Sequence, residues 1–304
     1  MSVKPETRTL NIHPRFRLLP PRHALKVLVS GISGHNAPIK TTTGDKEIAS
    51  IKRLSVEAPP PLSETISYLK GGNPDGRRIV FVHGTPGNAK GWADYLLNTE
   101  KSRLHIALDR PGFGKSGPRN AVVSIRRQAA AVKPFLQQAE SKKAILVGHS
   151  LGASVAVQTA LDHPDNVGGL LLLAGAFDPD LEEANFIQLL GTIRPLALLL
   201  PRDIENSNRE LLALKRELVA LADRLHKITI PISVVHGDRD PLVPYANVTY
   251  IERKFTHAPL DVITLKNTDH FIPWHSKPTV DAALEQLIDQ IRKTESIAKR
   301  GGAG

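Results

Sequence analysis

The stretch that decides the fold is Ala144-Ile-Leu-Val-Gly-His-Ser-Leu-Gly-Ala-Ser154, in which an apolar run leads directly into a serine between two glycines. A short continuous apolar run predicts a strand covered on both faces. The segment after it, residues 153 to 163, has the pattern of a helix. Gly148-His-Ser-Leu-Gly152 is then the turn between them, where glycines relieve crowding around a strained backbone. We predict that this turn exposes the hydroxyl of Ser150 at the carboxyl end of the strand; a plain structural turn is the alternative.

Similar apolar runs recur on both sides of this stretch, and helix-like segments separate most of them. Strands and helices that alternate in this way predict an α/β fold, a doubly wound and mostly parallel sheet. The predicted strands are residues 48–56, 65–69, 78–82, 104–108, 144–147, 169–173, 232–235 and 260–265. The predicted helices are residues 121–138, 153–163 and 279–294.

One long connection interrupts the alternation. About 50 residues separate the strand that ends near Ala174 from the one that begins near Ile230, where such connections usually have roughly 2 to 6. Within it, Ser207-Asn-Arg-Glu210 has the pattern of a capping box in front of the amphipathic run 211–225. We predict an inserted helical cap at about residues 178–228. A structural excursion that completes the core is the alternative.

A serine hydroxyl is a poor nucleophile, so it needs a base, which an acid must orient. On a sheet of this type the partners follow the serine in the order acid, then histidine. Asp238 and Asp240 follow the strand 232–235, and His270 follows the last predicted strand beside Asp269. Three other histidines at strand ends are interpreted as structural: His83, His149 and His236.

Two backbone amides are needed to stabilise the negative charge that develops on a substrate oxygen. The residue after the nucleophile, Leu151, is expected to supply one of them. We predict that Thr85 supplies the other, because it lies in the compact loop His83-Gly-Thr-Pro-Gly87 after the strand 78–82. The alternative is that this loop only packs against its neighbours.

Five motifs in chain order resemble those of the α/β-hydrolase family, over about residues 62 to 294. They are His83-Gly-Thr-Pro-Gly87, Asp109-Arg-Pro-Gly-Phe-Gly-Lys-Ser116, Gly148-His-Ser-Leu-Gly152, Gly237-Asp-Arg-Asp240 with Val243-Pro244, and Asp269-His-Phe271. The resemblance implies that Ser150 is the nucleophile and His270 the general base. It places the acid three residues after the glycine, which selects Asp240 over Asp238. A serine at the turn argues against the family's epoxide hydrolases and haloalkane dehalogenases.

The resemblance also implies a function: hydrolysis of a carboxylic ester through an acyl-enzyme intermediate, with no metal or organic cofactor. Apolar residues in the predicted cap suggest a substrate with a hydrophobic group, contacted by Phe186, Leu190 and Phe271. An amide or peptide hydrolase with the same triad is the alternative within enzymes. A non-catalytic binding protein with this fold is the alternative outside them.

Composition narrows the remaining choices. With 304 residues, 41% hydrophobic and 23% charged, the chain is too apolar for a disordered protein, and it has no cysteine for a thiolate nucleophile or zinc site. The net charge of +10 is concentrated near the ends, so we expect a basic, partly disordered arm at residues 1–45, a hydrolase domain at 46–294 and a flexible basic tail at 295–304. The arm suggests weak contact with an anionic membrane surface, while no motif indicates nucleic-acid binding. No signal peptide or transmembrane segment is recognised, so a cytoplasmic location is expected.

Overall fold

Eight strands form a single sheet in a computed structural model that describes residues 44–136, 142–182 and 201–301. Their order across the sheet is β1-β2-β4-β3-β5-β6-β7-β8. The strands are β1 (Arg53–Glu57), β2 (Thr65–Gly72), β3 (Arg77–Val82), β4 (Arg103–Leu108), β5 (Ala144–His149), β6 (Val167–Leu173), β7 (Ile232–Gly237) and β8 (Leu260–Leu265).

Every neighbouring pair from β4 to β8 across the sheet is parallel, and only β1–β2 and β2–β4 are antiparallel. The predicted doubly wound, mostly parallel sheet is therefore confirmed. Because the parallel strands share one direction, the loops that follow β3, β5, β7 and β8 meet at the same edge. All the predicted catalytic residues follow these four strands, so the topology gathers them there.

Helices cover both faces of the sheet. The described ranges contain α1 (Asp45–Ser50), α2 (Ala93–Leu97), α3 (Ile125–Ala130), α4 (Leu151–Asp162), α5 (Arg202–Ala222), α6 (Ala246–Lys254), α7 (Ile272–His275) and α8 (Lys277–Gly301). Buried residues of α3, α4, α5 and α6 form one apolar cluster, and those of α2, α7 and α8 form the other. Side chains of β5 alternate between the two: Leu146 belongs to the first cluster, Ile145 and Val147 to the second.

The first predicted strand is wrong over its first half. Residues 48–50 belong to α1, and β1 begins only at Arg53. The carboxylate of Glu47 accepts a hydrogen bond from the amide of Gly44 at 3.2 Å, which caps the start of the helix. The alternating pattern of residues 48–56 therefore spans a helix and a strand.

The helix predicted at 121–138 is also shorter than expected. It begins at Ile125, after Ser124, whose side chain accepts a hydrogen bond from the amide of Arg127. It ends at Ala130 and is followed by a 3-10 turn at Lys133–Phe135 that contains Pro134, because proline cannot continue the helical hydrogen bonds.

The predicted cap contributes one long helix to the described part of the chain. α5 begins at Arg202, ahead of the predicted capping box, with Pro201 before it and Asp203 and Glu205 in its first turn, where acidic groups favour the helix dipole. Ser207 and Glu210 are buried within the helix, so their spacing reflects tertiary contacts and not a helix start. Residues 183–200 of the predicted cap lie outside the described residues.

The predicted N-terminal arm at residues 1–45 lies almost wholly outside the described residues. At the other end α8 continues to Gly301, so residues 295–301 are helical where the sequence suggested a flexible tail. None of the helices in the described ranges is both long enough and apolar enough to cross a lipid bilayer.

Candidate active site

Ser150 lies at the tip of a sharp turn between β5 and α4. Its φ is 55° and its ψ is −127°, a backbone conformation that costs about 1 to 3 kcal/mol for a residue with a side chain. The amide of Ser150 is held by the carbonyl of Leu173 at 2.9 Å. Its side chain does not cap α4, so the hydroxyl is left for another partner. The sequence correctly predicted this turn.

The two glycines of the turn are required by close backbone contacts. A Cβ at position 148 would lie 2.5 Å from the Cα of Ala153, and one at position 152 would lie 2.3 Å from the carbonyl oxygen of Val82. The sequence predicted crowding around Ser150. The close contacts lie instead between α4 and the strands β5 and β3. The glycines allow the start of α4 to pack directly against the end of β3.

Asp240 and His270 are in direct contact. His270 Nδ1 donates to Asp240 Oδ2 at 2.6 Å, and both residues are buried. The other oxygen of Asp240 accepts the backbone amides of Leu242 and Val243, each at 2.8 Å. These bonds fix the carboxylate and, through it, the orientation of the imidazole.

The electrostatics of Asp240 favour a charged carboxylate. Burial alone would raise its pKa. The hydrogen bond from His270 and its electrostatic interaction with that ring, with the amides of Val243 and Leu242, outweigh burial and hold the pKa of Asp240 below its ordinary value. A charged Asp240 keeps the proton of His270 on Nδ1, so Nε2 is available as an acceptor.

His149 connects this pair to the turn that carries Ser150. Its Nε2 donates to the carbonyl oxygen of His270 at 3.0 Å, and the two ring centroids are 4.7 Å apart. His270 therefore lies beside the residue that precedes Ser150. Among the hydrogen bonds of the described residues none joins Ser150 to His270, a contact that is often long in ligand-free enzymes.

Asp238 and Asp269, the two rivals of Asp240, have other partners. Asp238 is exposed, and its Oδ1 accepts the amide of Asn267 at 2.6 Å. Asp269 accepts the amide of Phe271 at 2.9 Å and a hydrogen bond from His275 at 3.1 Å. Of these three carboxylates, only Asp240 contacts the imidazole of His270.

The histidines interpreted as structural are buried. Burial lowers the pKa of His149 to about 3, with a further lowering from His270, and burial also lowers the pKa of His83 and of His236. His236 donates to the carbonyl of Val243 at 2.9 Å. A histidine that stays neutral and hydrogen-bonded in this way supports the loops around the site.

The loop that carries Thr85 lies directly against Ser150. A Cβ at Gly84 would lie 2.8 Å from the Cβ of Ser150. Thr85 Oγ1 donates to the hydroxyl of Ser207 on α5 at 3.0 Å, and Leu151 is the first residue of α4. Gly84, which precedes the predicted donor Thr85, therefore lies against Ser150, and the other predicted donor, Leu151, directly follows Ser150 in the chain.

Of the three predicted substrate contacts, Phe271 alone lies within the described residues. Phe271 follows His270, is 37% exposed, and has its ring centroid 6.0 Å from that of His270. Phe186 and Leu190 lie outside the described residues. In residues 44–136, 142–182 and 201–301, no group of three or more His, Asp or Glu is arranged to hold a metal ion.

Sequence reasoning missed two residues behind the site, Arg110 and Glu210. They form an ion pair with side chains 0% and 1% exposed. Arg110 belongs to the motif 109–116, which was used only as one of the five motifs that resemble the family, and Glu210 was assigned to a helix cap. An unusual buried pair of this kind joins residues far apart in sequence, so no local pattern could have indicated it.

Comparison with known proteins agrees with this architecture. A 105-residue segment is 34% identical to the dihydrolipoyllysine-residue acetyltransferase component of the acetoin cleaving system of Cupriavidus necator, covering 34% of this chain and 28% of the relative. A 121-residue segment is 32% identical to a 2-hydroxy-6-oxononadienedioate/2-hydroxy-6-oxononatrienedioate hydrolase of a Pseudomonas species, covering 38% and 41%. The chain thus spans less than half the length of these two relatives.

Solved structures extend the likeness to most of the chain. A bacterial membrane phospholipase A superposes with a TM-score of 0.58 and 22% identity, covering 90% of this chain and 96% of that one; at this identity the likeness concerns the fold alone. The sequence model of the alpha/beta hydrolase family matches residues 79–283. That match covers more than half of the chain and includes the turn of Ser150, the loop of Thr85, Asp240 and His270, and the chain belongs to the alpha/beta hydrolase family.

Proposed function

We propose that this protein is a serine hydrolase that cleaves a carboxylic ester bearing a hydrophobic group. The observation that carries the proposal is the contact between Asp240 and His270 at 2.6 Å, beside a serine held at a φ of 55°. An oriented imidazole next to a half-buried serine that is not engaged as a helix cap is the arrangement that nucleophilic catalysis requires.

The proposed reaction has two halves. Nε2 of His270 takes the proton of Ser150 as Oγ attacks the carbonyl carbon, and the amides of Thr85 and Leu151 stabilise the resulting oxyanion. The intermediate collapses to an acyl-serine, and the alcohol leaves with the proton from His270. Water then attacks the acyl carbon with His270 again as base, which releases the acid and restores Ser150.

Two apolar side chains beside the triad support a hydrophobic substrate group. Phe271 is 37% exposed and Leu242 is 45% exposed, and they adjoin His270 and the loop of Asp240 respectively. Apolar surface left exposed next to a site is where a hydrophobic ligand group gains most from burial. Phe186 and Leu190 are proposed to complete this surface.

A substrate panel tests the proposal. p-Nitrophenyl esters of increasing acyl length are assayed beside aminoacyl p-nitroanilides. The proposal predicts ester turnover that rises from acetyl to longer acyl groups. Rapid amide turnover with feeble ester turnover would instead assign an amide or peptide hydrolase, and no turnover of either class by a correctly folded protein would favour a binding function.

Phe271→Ala serves as a variant that separates binding from chemistry. It removes apolar surface but no proton-transfer group. KM for the longest ester should rise by about tenfold, with a smaller change for the acetyl ester. Leu97, which is 41% exposed on α2 and is no part of the site, provides the matched control as Leu97→Ala.

A further inference from the structure

The buried side chain of Arg110 contacts the two residues that precede Thr85 in the loop His83–Gly87. Arg110 Nε donates to the carbonyl of His83 at 2.8 Å, and one terminal nitrogen donates to the carbonyl of Gly84 at 2.9 Å. The amide of Arg110 donates to Nε2 of His83 at 2.9 Å. Nδ1 of the same histidine donates to the carbonyl of Gly84 at 2.7 Å. The Gly84 carbonyl therefore accepts two hydrogen bonds and is fixed in direction.

The remaining N–H groups of Arg110 donate to side chains on two helices, α3 and α5. Both terminal nitrogens bind the carboxylate of Glu210 on α5, at 2.8 and 3.0 Å, and one also donates to Gln128 on α3 at 2.8 Å. All five N–H groups of the guanidinium are thus used. Gln128 also donates to Glu210, so the carboxylate itself is held in place.

Because the peptide bond is planar, the contact between Arg110 and the Gly84 carbonyl also determines the direction of the Thr85 amide. The carbonyl of Gly84 and the amide of Thr85 belong to one planar unit, and this bond is not among the cis peptides of the described chain. In a trans peptide the C=O and the N–H point in opposite directions. Holding the Gly84 carbonyl towards Arg110 therefore directs the Thr85 amide to the other side.

We infer that Arg110 is a positioning residue for the oxyanion hole. Through its ion pair with Glu210, the position of Arg110 depends in turn on how α5 packs. This inference rests on the proposed function, in which the Thr85 amide is an oxyanion donor. A second contact joins the same elements, because Thr85 Oγ1 donates to Ser207 on α5 at 3.0 Å. Two contacts thus link α5 to the loop His83–Gly87: one runs through Arg110 and Glu210, and the other joins Thr85 directly to Ser207.

The purely stabilising explanation of the pair is weak on physical grounds. Burying two charges costs about as much as their attraction returns, and apolar replacements of similar size are often neutral or stabilising. Arg110 and Glu210 have side chains that are 0% and 1% exposed. What apolar replacements cannot supply is the second donor of the Gly84 carbonyl, because only Nδ1 of His83 would remain bound to it.

The test follows from that difference. The double variant Arg110→Met/Glu210→Met removes both charges together and keeps the volume, so it is expected to fold with an unchanged circular dichroism spectrum. With p-nitrophenyl butyrate, kcat should fall by about 100-fold while KM changes by less than about threefold, because an oxyanion donor acts mainly in the transition state. The affinity of a butyl trifluoromethyl ketone, which forms a tetrahedral adduct with the serine, should fall by a similar factor.

Glu285→Gln is the matched control. Glu285 pairs with the buried Arg103, which begins β4 at the opposite edge of the sheet. This variant should leave both kcat and inhibitor affinity within about twofold of the wild type. Unchanged kcat and inhibitor affinity in the folded double variant, or an equal loss in the control, would overturn the inference.

A crystal structure of the double variant decides the question without any substrate. The inference predicts that the peptide between Gly84 and Thr85 rotates away from its wild-type orientation; an unchanged orientation overturns it. The proposed function fails separately, if Ser150→Ala retains the ester turnover of the wild type. Failure of the inference alone would leave Ser150 essential and the double variant fully active.

Discussion

Replacing Asp240 with asparagine should nearly abolish turnover without changing the fold. Oδ1 of Asp240 accepts two backbone amides at 2.8 Å each, so in Asp240→Asn this position must remain the carbonyl oxygen. The new amino group is then forced to face Nδ1 of His270, which lies 2.6 Å from the present carboxylate oxygen. Two donors cannot face each other at that distance, so the proton of His270 must move to Nε2.

An imidazole with its proton on Nε2 cannot take the proton of Ser150. The loss expected for a wrong tautomer is about 10⁴-fold in kcat, or about 5.5 kcal/mol of transition-state stabilisation. KM for the ester should change little, because the carboxylate does not contact the substrate. Steady-state assays with p-nitrophenyl butyrate at pH 7.5 measure both kcat and KM.

Two rival carboxylates provide matched controls. Asp238→Asn and Asp269→Asn make the same chemical change within the same two loops, at residues that do not contact the imidazole. Each should keep kcat within about threefold of the wild type. If Asp240→Asn lost less than about tenfold, or if either control lost as much, the assignment of Asp240 as the triad acid would be refuted.

Three further predictions concern packing and pH. Gly84→Ala would place a Cβ 2.8 Å from that of Ser150, so kcat should fall by about 100-fold; wild-type turnover would show that the loop is not held there. Burial lowers the pKa of His105 to about 4 and of His149 to about 3, below the ordinary 6.5. From pH 7 to 5 only the unfolded chain gains these protons, so the free energy of unfolding should fall by about 4 kcal/mol in urea titrations; a flat profile would contradict neutral burial. Leu146→Ala should cost about 2 to 5 kcal/mol in the same titrations, because this core side chain is 0% exposed, and a loss below about 1 kcal/mol would mean that β5 is not packed on the face that Leu146 covers.

The sheet strands and the turn that carries Ser150 could be predicted because their signals are mostly local in sequence. Continuous apolar runs such as residues 144–147 are typical of a strand covered on both faces. Gly148 is required by contacts with residues 152 and 153, which lie within the same stretch of sequence. The order of acid and histidine along the chain was enough to place Asp240 and His270 after neighbouring parallel strands. Local patterns and chain order thus specified the edge of the sheet where the site lies.

Elements whose residues are set by distant partners could not be predicted. Ser207 and Glu210 match a capping box by spacing, yet they contact Thr85 and Arg110, more than 90 residues away in sequence. The helix α6 was missed as well, because only part of its surface is apolar and Val248 and Ile251 reach the core through one side. Pairing of buried charges depends on tertiary structure, so a single sequence cannot reveal it.

Labelling of the serine by a fluorophosphonate probe tests the central claim most directly. The wild type and Ser150→Ala are compared with Ser154→Ala, which alters the other serine of the same turn and helix, whose hydroxyl is bound to the carbonyl of Ala176. The account predicts stoichiometric labelling and ester turnover in the wild type and in Ser154→Ala, and neither in Ser150→Ala. Labelling or turnover that survives in Ser150→Ala would contradict it.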